Sequence, residues 1–120
     1  MATLNTTLSI TSATVSSNAL SLSISDVLAV GNPIQGLSRE SIGTSNPVEL
    51  IPASVSADTY IYIKNTDTTN FLFLKTAGGQ TYAKLSSLEA ILICVYGGIG
   101  VEVLADTAAI IAEYATFTKV

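Results

Sequence analysis

TYIYIKNTDTTNFLFLKT, residues 59–76, contains two short runs, Tyr60 to Ile63 and Phe71 to Leu74, that are apolar at every position. The polar stretch Asn65 to Asn70 separates them. A strand with one wet face alternates apolar and polar residues, whereas a continuous apolar run implies that both faces are covered. If Asn65 to Asn70 closes a hairpin with Lys64 opposite Phe71, then Tyr62 faces Phe73, Ile63 faces Leu72 and Ile61 faces Leu74. One face of the pair is then aromatic and the other aliphatic, and a slip of one residue would mix the two sets. Only one face can line the domain's own core. The other is expected to meet either a further layer of the same domain, such as the N-terminal strands, or another subunit.

Working outward from this stretch, the chain reads as a series of strands. They are expected near 59–65, 70–76, 80–85, 89–96, 100–105 and 108–117, with turns at NTDTTN, AGGQ, SSLE, GGIG and ADT. Short strands at this spacing suggest a sandwich or barrel. Two segments carry a helical alternative. SSLEAILICVY could open with a capping box from Ser86 to Glu89, and the alanine-rich DTAAIIAEYA could be capped by Asp106. The Ile, Leu, Val and Tyr content and the Gly-Gly stop favour strand in the first, and strand is the expectation for the second.

Upstream the composition changes. No charged residue precedes Asp26 and no aromatic precedes Tyr60. Leu8 and Ile10 alternate with Ser and Thr, as do Leu20, Leu22 and Ile24. Period two predicts strands with one apolar and one hydroxyl face, turning near Ser16 to Asn18. Such uncharged strands, with no Pro or Lys guarding an edge, are expected to be paired, into their own sheet or onto a neighbour. GNPIQGLSRESIGTSNP, residues 31–47, has three Gly and two Pro and reads as a long loop. It holds the only Arg, Arg39, beside Glu40. Pro47 and Pro52 flank the short run VELI. Three segments follow: an N-terminal β arm over 1–30, which could join the main sheet; a long loop with a short strand over 31–58; and a β core over 59–120.

The 120 residues are of single-domain size and suffice to bury a core. Charged residues make up 12%, against about 25% in ordinary soluble domains. Mean hydropathy is +0.53. A polar but uncharged surface suits a protein packed against others. The net charge of −4 argues against a phosphate-binding surface, so no nucleic-acid partner is expected. The N-terminus has neither a basic nor an apolar leader region, and no apolar run reaches membrane-helix length, so neither a leader nor a membrane is expected. The single Cys94 cannot form an intrachain disulfide and reads as a small core hydrophobe.

The chain has no histidine. That removes the usual general acid–base at neutral pH, imidazole metal ligands, and any Ser-His-Asp or Cys-His pairing. No phosphate-binding glycine motif is present, and GGIG reads as a turn. NTDTTN reads as a solvated hairpin tip rather than a calcium loop. The expectation is a protein that is not an enzyme, with no cofactor and no metal. The candidate interface residues are Arg39 and Glu40 in the loop, Leu8 and Ile10 in the arm, and Tyr60, Tyr62, Phe71 and Phe73 on the aromatic face.

The order YIYIKNTD, KTAGGQTYAKL, Glu89 opening a strand, GVEVLADT and the closing EYATFT, over about residues 58–119, resembles small β-structured virion proteins of tailed bacteriophages, notably those of cyanobacterial and marine phages. Ser87-Leu88 stand where that family often carries Pro-Gly, a departure that touches the local turn. The resemblance implies a capsid decoration (cement) protein. With it come a β-sandwich or jelly-roll/barrel of about eight short antiparallel strands, frequent trimers and no catalytic residue. The implied partner is the major capsid protein or another virion protein, and the implied location is the virion, after synthesis in the bacterial host's cytoplasm. The alternatives are a tail-tube, adaptor or fibre component and, in a different class, a carbohydrate-binding β-sandwich, which would need stacking aromatics on an exposed face.

Overall fold

The computed structural model describes residues 2–14, 20–31 and 36–120. These contain ten strands: β1 (Ala2–Ser12), β2 (Leu20–Val30), β3 (Ser38–Ile42), β4 (Val48–Ile51), β5 (Thr59–Asn65), β6 (Leu72–Lys75), β7 (Thr81–Leu85), β8 (Ala90–Val95), β9 (Val101–Ala105) and β10 (Ile110–Thr118). All pairings are antiparallel, and both segments with a helical alternative are strand. The turn expected near Ser16 to Asn18 lies outside the described residues.

Eight strands form two four-stranded sheets, ordered β3-β10-β5-β8 and β4-β9-β6-β7. The pairs nest: β3 with β10, β4 with β9, β5 with β8, β6 with β7, and the joins β5–β10 and β6–β9 close each sheet. A long double ribbon folded over itself in this way is the eight-stranded jelly roll. The all-β expectation holds, with eight strands in the sandwich and the arm outside it.

The register proposed for 59–76 does not hold. β5 and β6 lie in different sheets, and Asn65 to Asn70 crosses between the layers rather than closing a hairpin. The segregation of aliphatic from aromatic survives for a different reason. Ile61 and Ile63 from one sheet meet Leu72 and Leu74 from the other across the core, all fully buried. Tyr60, Tyr62 and Phe73 point outward on the two opposite faces, as period two requires.

Two further boundaries change. Residues 31–47 are not one loop, because Ser38–Ile42 is an edge strand paired with β10 and its Ile42 is buried in the core. β4 pairs with β9 and contributes Leu50 and Ile51. The sandwich therefore starts at Ser38 and not at residue 59.

Asn65 ties the layers together and is fully buried. Its Nδ2 donates to the carbonyls of Asn70 (2.9 Å), Leu85 (3.2 Å) and Ser86 (3.1 Å), and its Oδ1 accepts from the Asp67 N–H (2.9 Å). A buried amide is tolerated only when satisfied in this way. The Asp67 carboxylate in turn accepts from the Thr69 and Asn70 N–H groups, both at 2.7 Å. NTDTTN is thus a crossover organised by its own side chains.

Turn chemistry is exacting at two places. A methyl on Gly97 would overlap the Ser56 carbonyl, so only glycine lets the β8–β9 turn pack on the Ser56-Ala57 segment. At the β7–β8 turn it is Leu88 that adopts φ 64°, a conformation that favours glycine. The turn keeps its shape, and a branched side chain bears the left-handed conformation.

Candidate interaction surface

Among the described residues β1 and β2 pair only with each other as strands, in continuous register from Ala2 opposite Val30 to Ser12 opposite Leu20. Eleven residues per strand make a ribbon about 36 Å long. It joins the sandwich at its root. There Val30 bridges Lys119, Gly31 N–H donates to the Thr118 carbonyl at 2.8 Å, and Val120 N–H donates to the Ala29 carbonyl at 3.3 Å.

Residues directly opposite in an antiparallel pair share a face. One face therefore collects Leu4 with Leu28, Leu8 with Ile24, Ile10 with Leu22, and Ser12 with Leu20, interrupted by Thr6 with Asp26, which also line the groove between ribbon and sheet. The other carries Thr7 with Ser25, Ser9 with Ser23 and Thr11 with Ser21, and the Thr7 and Ser25 hydroxyls bond at 3.4 Å. Only the root of the apolar face is covered. Leu8, Ile10, Leu20, Leu22 and Ile24 remain 39–53% exposed.

Near the root, the ribbon stands over the outer face of the β5–β8 pair. An open groove of 380 Å³ lies between them, lined by Leu8, Ile24 and Leu28 from the arm and by Tyr60, Leu92 and Cys94 from the sheet. The reading of Cys94 as a core residue is corrected here. Opposite Tyr60 in the register it faces outward, and it is exposed.

The chain exposes 7090 Å². A compact globule of 12.4 kDa exposes about 6,100 Å², so roughly 1,000 Å² is surplus. The radius of gyration, 15.7 Å, likewise exceeds the roughly 13.6 Å expected of 120 residues. The protruding ribbon accounts for the direction of both differences. A standard protein–protein interface takes about 800 Å² from each partner, close to this surplus.

No known protein family, curated protein or solved structure matches the chain.

The candidate residues fall in three places. Leu8 and Tyr60 both line the groove, and Ile10 lies farther out on the exposed part of the same arm face. Farther along the outer face, Tyr62 donates to Glu113 at 3.1 Å, and Arg39 Nη2 pairs with the other oxygen of that carboxylate at 3.2 Å. Burial, the bond to Glu113 and its negative charge, in that order, raise the Tyr62 hydroxyl pKa. Arg39 thus has a carboxylate partner within its own chain, although its side chain stays 71% exposed. Glu40 is exposed on the same edge strand.

Phe71 and Phe73 are not part of this face. They belong to the other sheet's side, stacked edge-to-face at 5.3 Å, with Lys84 Nζ 3.9 Å from the Phe71 ring centre. Sequence reasoning missed Leu92 and Cys94, because no pattern in AILICV tells the inner from the outer face of an edge strand. Leu20, Leu22 and Ile24 carried the right alternation and were read only as strand.

The edges differ in protection. β3 carries Arg39 and Glu40, β4 has Glu49 between Pro47 and Pro52, and β7 has Lys84. β8, AILICV, has neither charge nor proline, the devices that ordinarily keep an edge from pairing. It borders the groove.

Proposed function

We propose that this chain is a structural protein of a bacteriophage virion, most specifically a decoration (cement) protein that binds the assembled head as a homo-oligomer. Its partner in this reading is the major capsid protein or another virion protein. The observation that carries the reading is the ribbon: a half-apolar arm with a single charge, Asp26, on a jelly roll, with about one interface's worth of surplus surface. A chain of this shape gains most when neighbours cover it. The jelly roll is compatible, since viral capsid domains use it, but lectins and cupins use it too and the fold alone does not decide. The resemblance of residues 58–119 to phage virion proteins points the same way.

The mechanism is additive burial. Contacts that exist only on the assembled shell stabilise that shell by mass action. Many symmetric copies turn weak contacts into avidity. A weakly charged surface lets identical copies pack densely without long-range repulsion. A trimer is the favoured state, because an arm reaching a neighbour makes a head-to-tail contact, which must close into a ring to stay finite.

Cryo-images of particles made with and without this chain test the reading. Density on the outer head surface that vanishes with the chain is expected. Particles whose heads are unchanged by its removal would overturn the decoration role.

A further inference from the structure

We infer that the distal apolar face of the arm is an interface between copies of this chain: Ile10, Leu20 and Leu22 of one copy seat on the outer surface formed by Tyr60, Leu92 and Cys94 of another. The inference rests on the homo-oligomer in the proposed function and not on a place in the virion.

The chain itself sets the two apolar surfaces side by side. At the root, Leu8, Ile24 and Leu28 already lie across the groove from Tyr60, Leu92 and Cys94. Beyond them the ribbon repeats the same alternation, Ile10 opposite Leu22 and Ser12 opposite Leu20, and from Leu8 and Ile24 outward the apolar side chains remain exposed. The apolar outer surface of Tyr60, Leu92 and Cys94 lies within reach of the root only. A second copy supplies it again, and exchange of an identical element between protomers is a low-cost route to assembly.

Charge favours a like partner over a foreign one. The described part of the arm carries a single charged residue, Asp26, and Tyr60, Leu92 and Cys94 carry none. Neither surface has the charge pattern by which unlike proteins select each other. The groove is open and apolar, and β8 beside it is the sandwich edge without a guarding charge. The surplus of roughly 1,000 Å² per chain matches what a stable interface takes from each partner.

Purified protein suffices for the test, with no particle present, so its result is separate from the location in the virion. In sedimentation at micromolar concentration, the wild type should be heavier than one chain. The double variant Ile10→Ser/Leu22→Ser changes two exposed residues opposite each other and leaves the ribbon's backbone pairing intact. It should fall to the mass of one chain with an unchanged far-ultraviolet spectrum. Leu22→Cys, mildly oxidised, should give a disulfide between two chains that disappears in a Cys94→Ser background. Ser21→Cys, on the hydroxyl face, should give none. A wild type that sediments as one chain would overturn the inference. So would a double variant of wild-type mass, a disulfide within one chain, or equal cross-linking from residues 21 and 22.

Discussion

β5 and β1 obey the same rule and meet different fates. Both are strands with an aliphatic set on one face. In β5, Ile61 and Ile63 are fully buried, because β6 of the opposite sheet brings Leu72 and Leu74 against them. In the arm, Leu8 and Ile10 present an equivalent face and remain about half exposed, because no layer among the described residues closes over them as β6 closes over β5. Period two states which side of a strand is apolar. It does not state what covers that side. A two-stranded ribbon is marginal alone in water, so the arm depends on its root and on whatever meets its face.

The sharpest contrast comes from one chemical change made in both regions. Ile63→Ala should cost about 2–5 kcal/mol, the range for truncation in a close-packed core. Ile24→Ala, in the arm, should cost no more than about 0.5 kcal/mol in the isolated monomer. Chemical denaturation monitored on the sandwich measures both. Equal losses would mean that the arm is part of the core.

Asn65→Ala should cost about 3 kcal/mol, since it removes four hydrogen bonds and leaves buried carbonyls without donors. A loss below about 1 kcal/mol, the net worth of one ordinary hydrogen bond, would show that the crossover holds without its amide. Leu88→Gly should raise stability by about 1 kcal/mol, because it relieves a left-handed leucine whose side chain is exposed. A decrease would show that the side chain contributes more than its backbone strain costs.

The smallest effect concerns pH. The Asn70 N–H, then that of Thr69, hold the Asp67 carboxyl below its ordinary 3.8. A depressed carboxyl stabilises the fold above its unfolded value and loses that contribution as pH falls through the folded one. Acid below the usual carboxylate range should therefore lower the protection of the Thr69 and Asn70 amides relative to their intrinsic exchange rates at each pH, with the protection of the arm amides unaffected. Exchange that is uniform across both regions would contradict a local role.

Much of the fold was legible in short patterns. The six strands expected from residue 59 onward exist, because β-branched and aromatic residues between Gly-rich turns leave few other options. The arm was legible from its Leu/Ser alternation. The β5–β6 pairing was misread because local spacing cannot distinguish a hairpin loop from a crossover of equal length, and the buried Asn65 that marks the crossover looks like any turn residue. β3 was hidden because SRESI is polar and short, as a guarded edge strand should be. The candidate surface was half visible. Leu8, Ile10 and Tyr60 were found, but Leu92 and Cys94 lie on an edge strand whose apolar run conceals which side is wet.

The central claim is that the sandwich is a complete fold and the arm is built for something beyond it. A chain starting at Ala29 keeps the root contacts of Ala29, Val30 and Gly31 and removes the rest of the ribbon. Thermal unfolding followed by circular dichroism, together with sedimentation, tests the claim most directly. The expected result is a cooperative β-sheet transition close to that of the full-length monomeric double variant, in a protein that sediments as a single chain. A truncated chain that is unfolded or aggregated, or one that keeps the full-length oligomer, would contradict it.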